Sequence, residues 1–107
     1  MTPEDIRVQL AQIGREQSKA HDAIEKLELE AERAELAAQS AIDRVFLTAE
    51  GSIPEKQAQA REQSLDVRDA AIVARASLNR AKAKAKFLDS ETMRLMATLK
   101  SIQLEGA

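Results

Sequence analysis

Apolar residues recur along this chain at alternating steps of four and three. The first series is Ile6, Leu10, Ile13, Gln17, Ala20, Ile24, Leu27, Ala31, Ala34, Ala38, Ala41 and Val45, broken in character only by Gln17. The second is Ile53, Gln57, Ala60, Ser64, Val67, Ala71, Ala74, Leu78, Ala81, Ala85, Leu88, Thr92, Leu95, Leu99 and Ile102, with Gln57, Ser64 and Thr92 polar. A seven-residue repeat held this long is the signature of coiled-coil packing, because it keeps one stripe of each helix turned to a partner helix.

The breakers fall between the two series. Thr2 followed by Pro3 reads as an N-cap with proline at the first helical position, and Asp5 sits in the electropositive first turn. Gly51 suits the left-handed residue that closes a helix. Ser52 and Glu55 have the spacing of a capping box, with Pro54 tolerated in the first turn. The pattern therefore predicts a helix over about 3–48, a turn over about 49–53 and a helix over about 53–104. Gly14 interrupts the first helix only as a tolerated surface glycine. Asp89, with Leu88 and Met93 as a hydrophobic staple, offers a second break point, but the unbroken repeat favours continuity.

A short linker folds two such helices back on each other, so the expected architecture is an all-α, long antiparallel helical hairpin forming a single domain over 1–107. Folding at the turn pairs positions whose numbers sum to about 102, setting Ile13 against Leu88, Leu27 against Ala74 and Ile24 against Leu78. Flanking charges agree in sign with that register: Glu28 near Arg75, Glu35 near Arg68 and Glu16 near Lys84. The expected hairpin core is Ile6, Ile13, Ile24, Leu27, Val45, Val67, Leu78, Leu88 and Leu95.

Composition changes one part of this picture. Hydrophobic residues make up 44% of the 107 residues but aromatics only 2%. Much of the seam is alanine, which removes little apolar area from water. One hairpin is then marginal, and apolar side chains are left over off the seam. Leu36, Phe46, Leu65, Ile72, Met93, Met96, Leu99 and Ile102 form the expected partner surface; in the assumed register Leu99 and Ile102 overhang the start of the first helix. They suit burial against another copy, giving a four-helix bundle or larger homo-oligomer, or against a different protein.

Charge and chemistry narrow the function. The net charge of −2 implies no polyanionic partner. With no cysteine there is no disulfide or thiolate site, and no apolar run nears the roughly 18 residues of a membrane span. The acidic opening is unlike a signal peptide, so a soluble, cytoplasmic protein is expected. His21 is the only histidine and lacks the partners of a general base or metal site. Glu25, Glu28, Glu32 and Glu35 resemble a carboxylate metal bundle only superficially, since such bundles need Glu-x-x-His motifs. No catalytic residues, metal site or cofactor are expected, and the chain reads as a non-enzymatic interaction or structural protein. Arg75, Arg80, Lys82, Lys84 and Lys86 form a basic segment without interleaved aromatics. Arg80, Lys82 and Lys86 are the candidate nucleic-acid contacts in the alternative reading.

The closing stretch from Ser90 to Glu105 contains Leu99, Lys100, Ser101, Ile102 and Gln103, a basic-apolar run. It resembles the C-terminal helix of small helical proteins encoded in bacteriophage genomes, often near DNA recombination genes. Many of those carry a tryptophan here and this chain has none. The resemblance implies a phage origin and a host cytoplasm. It also gives the alternative function its form: an accessory factor touching single-stranded DNA or a recombinase. No site residue is carried over from it.

Overall fold

The computed structural model describes residues 1–106 and contains three helices and no strand among them: α1 (Pro3–Thr48), α2 (Ile53–Gln63) and α3 (Leu65–Glu105). The chain is a long helical hairpin. α1 has 46 residues, which is about 69 Å of helix at 1.5 Å per residue.

The starts of α1 and α2 are each capped by a hydroxyl that accepts a backbone N–H three residues on. The Thr2 backbone N–H donates to Asp5 Oδ2 at 3.0 Å, and the Asp5 N–H donates to Thr2 Oγ1 at 3.1 Å. This reciprocal box satisfies amides that the first turn leaves without helical partners. At the second start Ser52 Oγ accepts from the Glu55 N–H at 3.4 Å. Gly51 precedes it with φ +115°, the one positive φ among the described residues. A Cβ there would meet the Glu55 carboxylate, which can swing aside, so it is the backbone conformation that demands glycine.

The second helix is not continuous from 53 to 104 as the repeat predicts. It breaks at Ser64, whose φ of −100° and ψ of 6° leave the helical region. Ser64 occupies a seam position and is fully buried. With water excluded, its hydroxyl donates to the Ala60 carbonyl, the oxygen that also receives the Ser64 backbone N–H. Such back-bonding bends helices. The Arg68 N–H still reaches the Ser64 carbonyl at 2.9 Å, so the chain kinks without unwinding. The other candidate break does not occur: α3 runs through Asp89 and Ser90, whose hydroxyl donates back to Lys86.

By contacts the chain divides into two compact units, one of Met1–Ile24 with the stretch from Arg80 onward, the other Glu25–Asn79. The first unit is sealed by Ile6, Ala20, Leu88 and Leu95, all buried. The second is sealed by Ala31, Ala38, Ala60, Ser64 and Leu78. Of the expected core, Ile6, Leu78, Leu88 and Leu95 are therefore buried. Ile13, Ile24, Leu27, Val45 and Val67 are only half-buried, because a seam between two helices covers one side of a large residue and leaves the other open.

Candidate interaction surface

Cross-helix polar contacts fix the register of each unit. In the first, Gln17 Nε2 donates to Asp89 Oδ1 at 2.9 Å and to Thr92 Oγ1 at 3.3 Å. Thr92 in turn donates to the Leu88 carbonyl at 3.0 Å. The polar seam residue Gln17 is thus satisfied inside the packing, as a half-buried amide must be. In the expected register Gln17 faces Ala85; Asp89 and Thr92 lie one and two turns beyond it. In the second unit Arg75 grips Glu35 Oε1 through Nε at 2.7 Å and Nη2 at 2.6 Å. Glu35 was expected near Arg68, two turns earlier.

The register expected from the turn is therefore corrected. In these polar contacts the partner on α3 lies one to two turns nearer its C-terminal end than expected. One consequence is that Leu99 does not overhang α1. It shares a groove of about 790 Å³ with Leu10, Gln17, Thr92 and Met96. Of the other two expected pairs, Glu16 and Lys84 do border one shallow groove with Ala20 and Ala81, while Arg75, expected near Glu28, is on Glu35.

The expected partner surface falls in both units and is described in each. In the first, Met93 and Met96 are exposed, while Leu99 and Ile102 are half-buried. In the second, Leu36, Leu65 and Ile72 are exposed at 68%, 53% and 66%, and Phe46 is half-buried.

The second unit orders these residues into two stripes. Along α1, Glu25, Glu28, Glu32, Glu35, Gln39, Ile42 and Phe46 recur at steps of three and four, so they share one side of the helix. Along α2 and α3, Arg61, Leu65, Arg68, Ile72 and Arg75 recur at steps of four and three. The two stripes lie side by side on one face. Ile42 and Phe46 line a groove with Arg61 and Arg68, and Glu35 lines another with Ile72 and Arg75. One edge of the face is acidic and then apolar; the other alternates cation and aliphatic. The heptad reading had the apolar members but not this alternation, which becomes visible when positions next to the seam are followed at the same step.

The basic candidates do not gather. Arg80, Lys82 and Lys86 are all exposed, and their spacing puts Arg80 on a different side of α3 from the other two. His21 is exposed. Among the described residues no group of three or more His, Cys, Asp or Glu side chains could hold a metal ion. No helix among them is long and apolar enough to cross a membrane. Two carboxyls depart from ordinary behaviour, one exposed (Asp5) and one half-buried (Glu91). Asp5 is held below the usual carboxylate range by the Thr2 backbone N–H and then the Thr2 hydroxyl. Glu91 is lowered by its hydrogen bond from Arg94, at 2.8 Å. Both belong to local helix structure rather than to a reactive site. Compared with known protein families, curated proteins and solved structures, the chain matches none.

Proposed function

We propose that this chain is a non-enzymatic coiled-coil protein, structural in role, which self-associates and offers a helical surface to a protein partner. One observation carries the reading: the second unit buries a single large side chain, Leu78, yet leaves Leu36, Leu65 and Ile72 more than half exposed. Burying apolar area is the main favourable term in folding and association. A unit that spends its seam on alanine and keeps its larger aliphatics outside has its remaining hydrophobic gain in an interface. Apolar patches rimmed by charge mark protein-binding faces, and methionines such as Met93 and Met96 suit an adaptable contact. A cytoplasmic setting, that of the host if the gene is a phage's, belongs to the same reading.

The test is the solution mass, by size-exclusion chromatography with light scattering across a concentration series, with helicity followed by circular dichroism. A helical oligomer is the expected result. A fully helical monomer at every concentration overturns self-association.

A further inference from the structure

Three arginines share one edge of the second unit's face, and the chain answers only one of them with an acid. Arg75 is gripped by Glu35 through Nε and Nη2. Arg61 and Arg68 make no ion pair among the described residues. Neither has an Asp or Glu three or four residues away along the chain, where a helical neighbour would stand. Across the groove of about 400 Å³ that they line, α1 presents Ile42 and Phe46 in place of a carboxylate. Arg68 is half-buried there. A cation partly withdrawn from water without an ion pair is destabilising, and an anionic group from outside the chain removes that penalty.

We infer that this groove docks an acidic amphipathic helix of another protein. Its carboxylates, seven residues apart, meet Arg61 and Arg68 as Glu35 meets Arg75. Its large aliphatics, at the three- and four-residue steps between those carboxylates, pack on Ile42, Phe46 and the exposed Leu65. Positions at these steps share one side of a helix, and seven residues span roughly 10 Å in either partner. Arginine suits the contact because its planar fork grips carboxylates. The inference rests on the protein-partner reading above and adds the site and the partner's chemistry. A polyanion fits less well. Between residues 41 and 70 six carboxylates stand against four cations, so the surroundings repel nucleic acid or an anionic membrane, while two discrete carboxylates reach the arginines alone.

The probe is a dye-labelled, alanine-based synthetic peptide of about 20 residues, long enough to be helical. It carries glutamates at i and i+7 and leucines at i+3 and i+4; two control peptides carry glutamine or lysine in place of the glutamates. Fluorescence anisotropy against the full-length chain is expected to give the glutamate peptide a Kd on the order of ten-fold below that of the glutamine peptide. A chain with both Arg61→Glu and Arg68→Glu is expected to reverse the order and prefer the lysine peptide. A variant that merely misfolds does not gain that binding.

This pair of preferences supports the inference. Equal binding of all three peptides overturns the acidic partner and leaves a helical protein-docking surface standing. Binding of none of them overturns both for this face, and self-association, read separately from the solution mass, stands or falls on its own. Displacement of the glutamate peptide by an equal concentration of single-stranded oligonucleotide or phosphatidylserine vesicles marks a polyanion site and overturns the inference.

Discussion

The two units are built from the same repeat and solve the packing problem differently. The first places Ile6, Leu88 and Leu95 in its seam and completes it with the Gln17–Asp89–Thr92 hydrogen bonds. The second places Ala31, Ala38, Ala60 and Ser64 there, with Leu78 as its one large buried side chain. Large residues give a seam its own hydrophobic free energy; alanine gives close approach and little else. The comparison teaches that heptad regularity fixes architecture without fixing where the stabilising area lies. In the first unit three large side chains are sealed in the seam and in the second only one is, while both leave large apolar side chains on the surface.

The sharpest way to break the comparison is to truncate a buried leucine of the first unit. Leu95 is 1% exposed, and Leu95→Ala is expected to cost about 2–5 kcal/mol through lost burial and the cavity left behind. Urea denaturation followed by circular dichroism measures it. A loss well under 1 kcal/mol would mean that the first unit is no better packed than the second. The converse change belongs in the second unit. Ala31 is fully buried, and Ala31→Leu is expected to destabilise by about 1–3 kcal/mol, because close-packed helices have no room for the added methylenes. Stabilisation instead would show that this seam is loosely filled.

Ser64→Ala has a smaller effect and the opposite sign. The Ala60 carbonyl keeps its bond from the backbone N–H of residue 64, while the competing hydroxyl is gone. Alanine is also the better helix former by about 0.5 kcal/mol. The expected outcome is a gain of up to about 1 kcal/mol and helical backbone chemical shifts running unbroken through residue 64. Thr92→Ala in the first unit is the control. Thr92 makes the same back-bond to Leu88 without breaking α3, but its oxygen also receives Gln17, so its loss removes a cross-helix contact and destabilises.

That contrast marks the limit of what the pattern reveals. The all-α hairpin was legible because Thr2, Gly51, Ser52 and Pro54 are the few places where the repeat and the breakers change together. The kink was not, because Ser64 and Thr92 are both small hydroxyl residues at seam positions. Burial, complete for Ser64 and partial for Thr92, and the bond that Thr92 accepts from Gln17 separate them, and neither is written in the repeat. The register is ambiguous in the sequence for a related reason. Glu28, Glu35, Arg68 and Arg75 lie at seven-residue spacing, so several alignments offer opposite charges, and the chosen one put Arg68 beside Glu35. Short polar groups such as Asp89 and Thr92 admit fewer solutions and carry the real constraint. Of the candidate surface, the exposed apolar residues were readable singly as leftovers from the heptads. Their interleaving with Arg61, Arg68 and Arg75 is a property of the neighbouring stripe, which a search for the seam passes over.

The smallest expected effect concerns the Thr2–Asp5 cap. The folded chain holds the Asp5 carboxyl below its ordinary value through the Thr2 N–H and hydroxyl. A carboxyl depressed in the folded state contributes stability above its unfolded pKa, and that contribution is lost as the pH falls through the folded pKa. Asp5 is fully exposed, so the effect is local fraying of the first turn of α1 rather than global unfolding. Amide exchange at residues near Asp5 should quicken, relative to the middle of α1, as the solution is taken from neutral into the acid range where Asp5 protonates. Asp5→Asn should remove that extra acid response while leaving the other carboxyls to titrate as before. Carbon NMR of the Asp5 carboxyl gives the direct check: a midpoint at or above that of an unfolded peptide would show that the cap does not hold the charge, and the Thr2→Ala variant should move the midpoint up toward that reference.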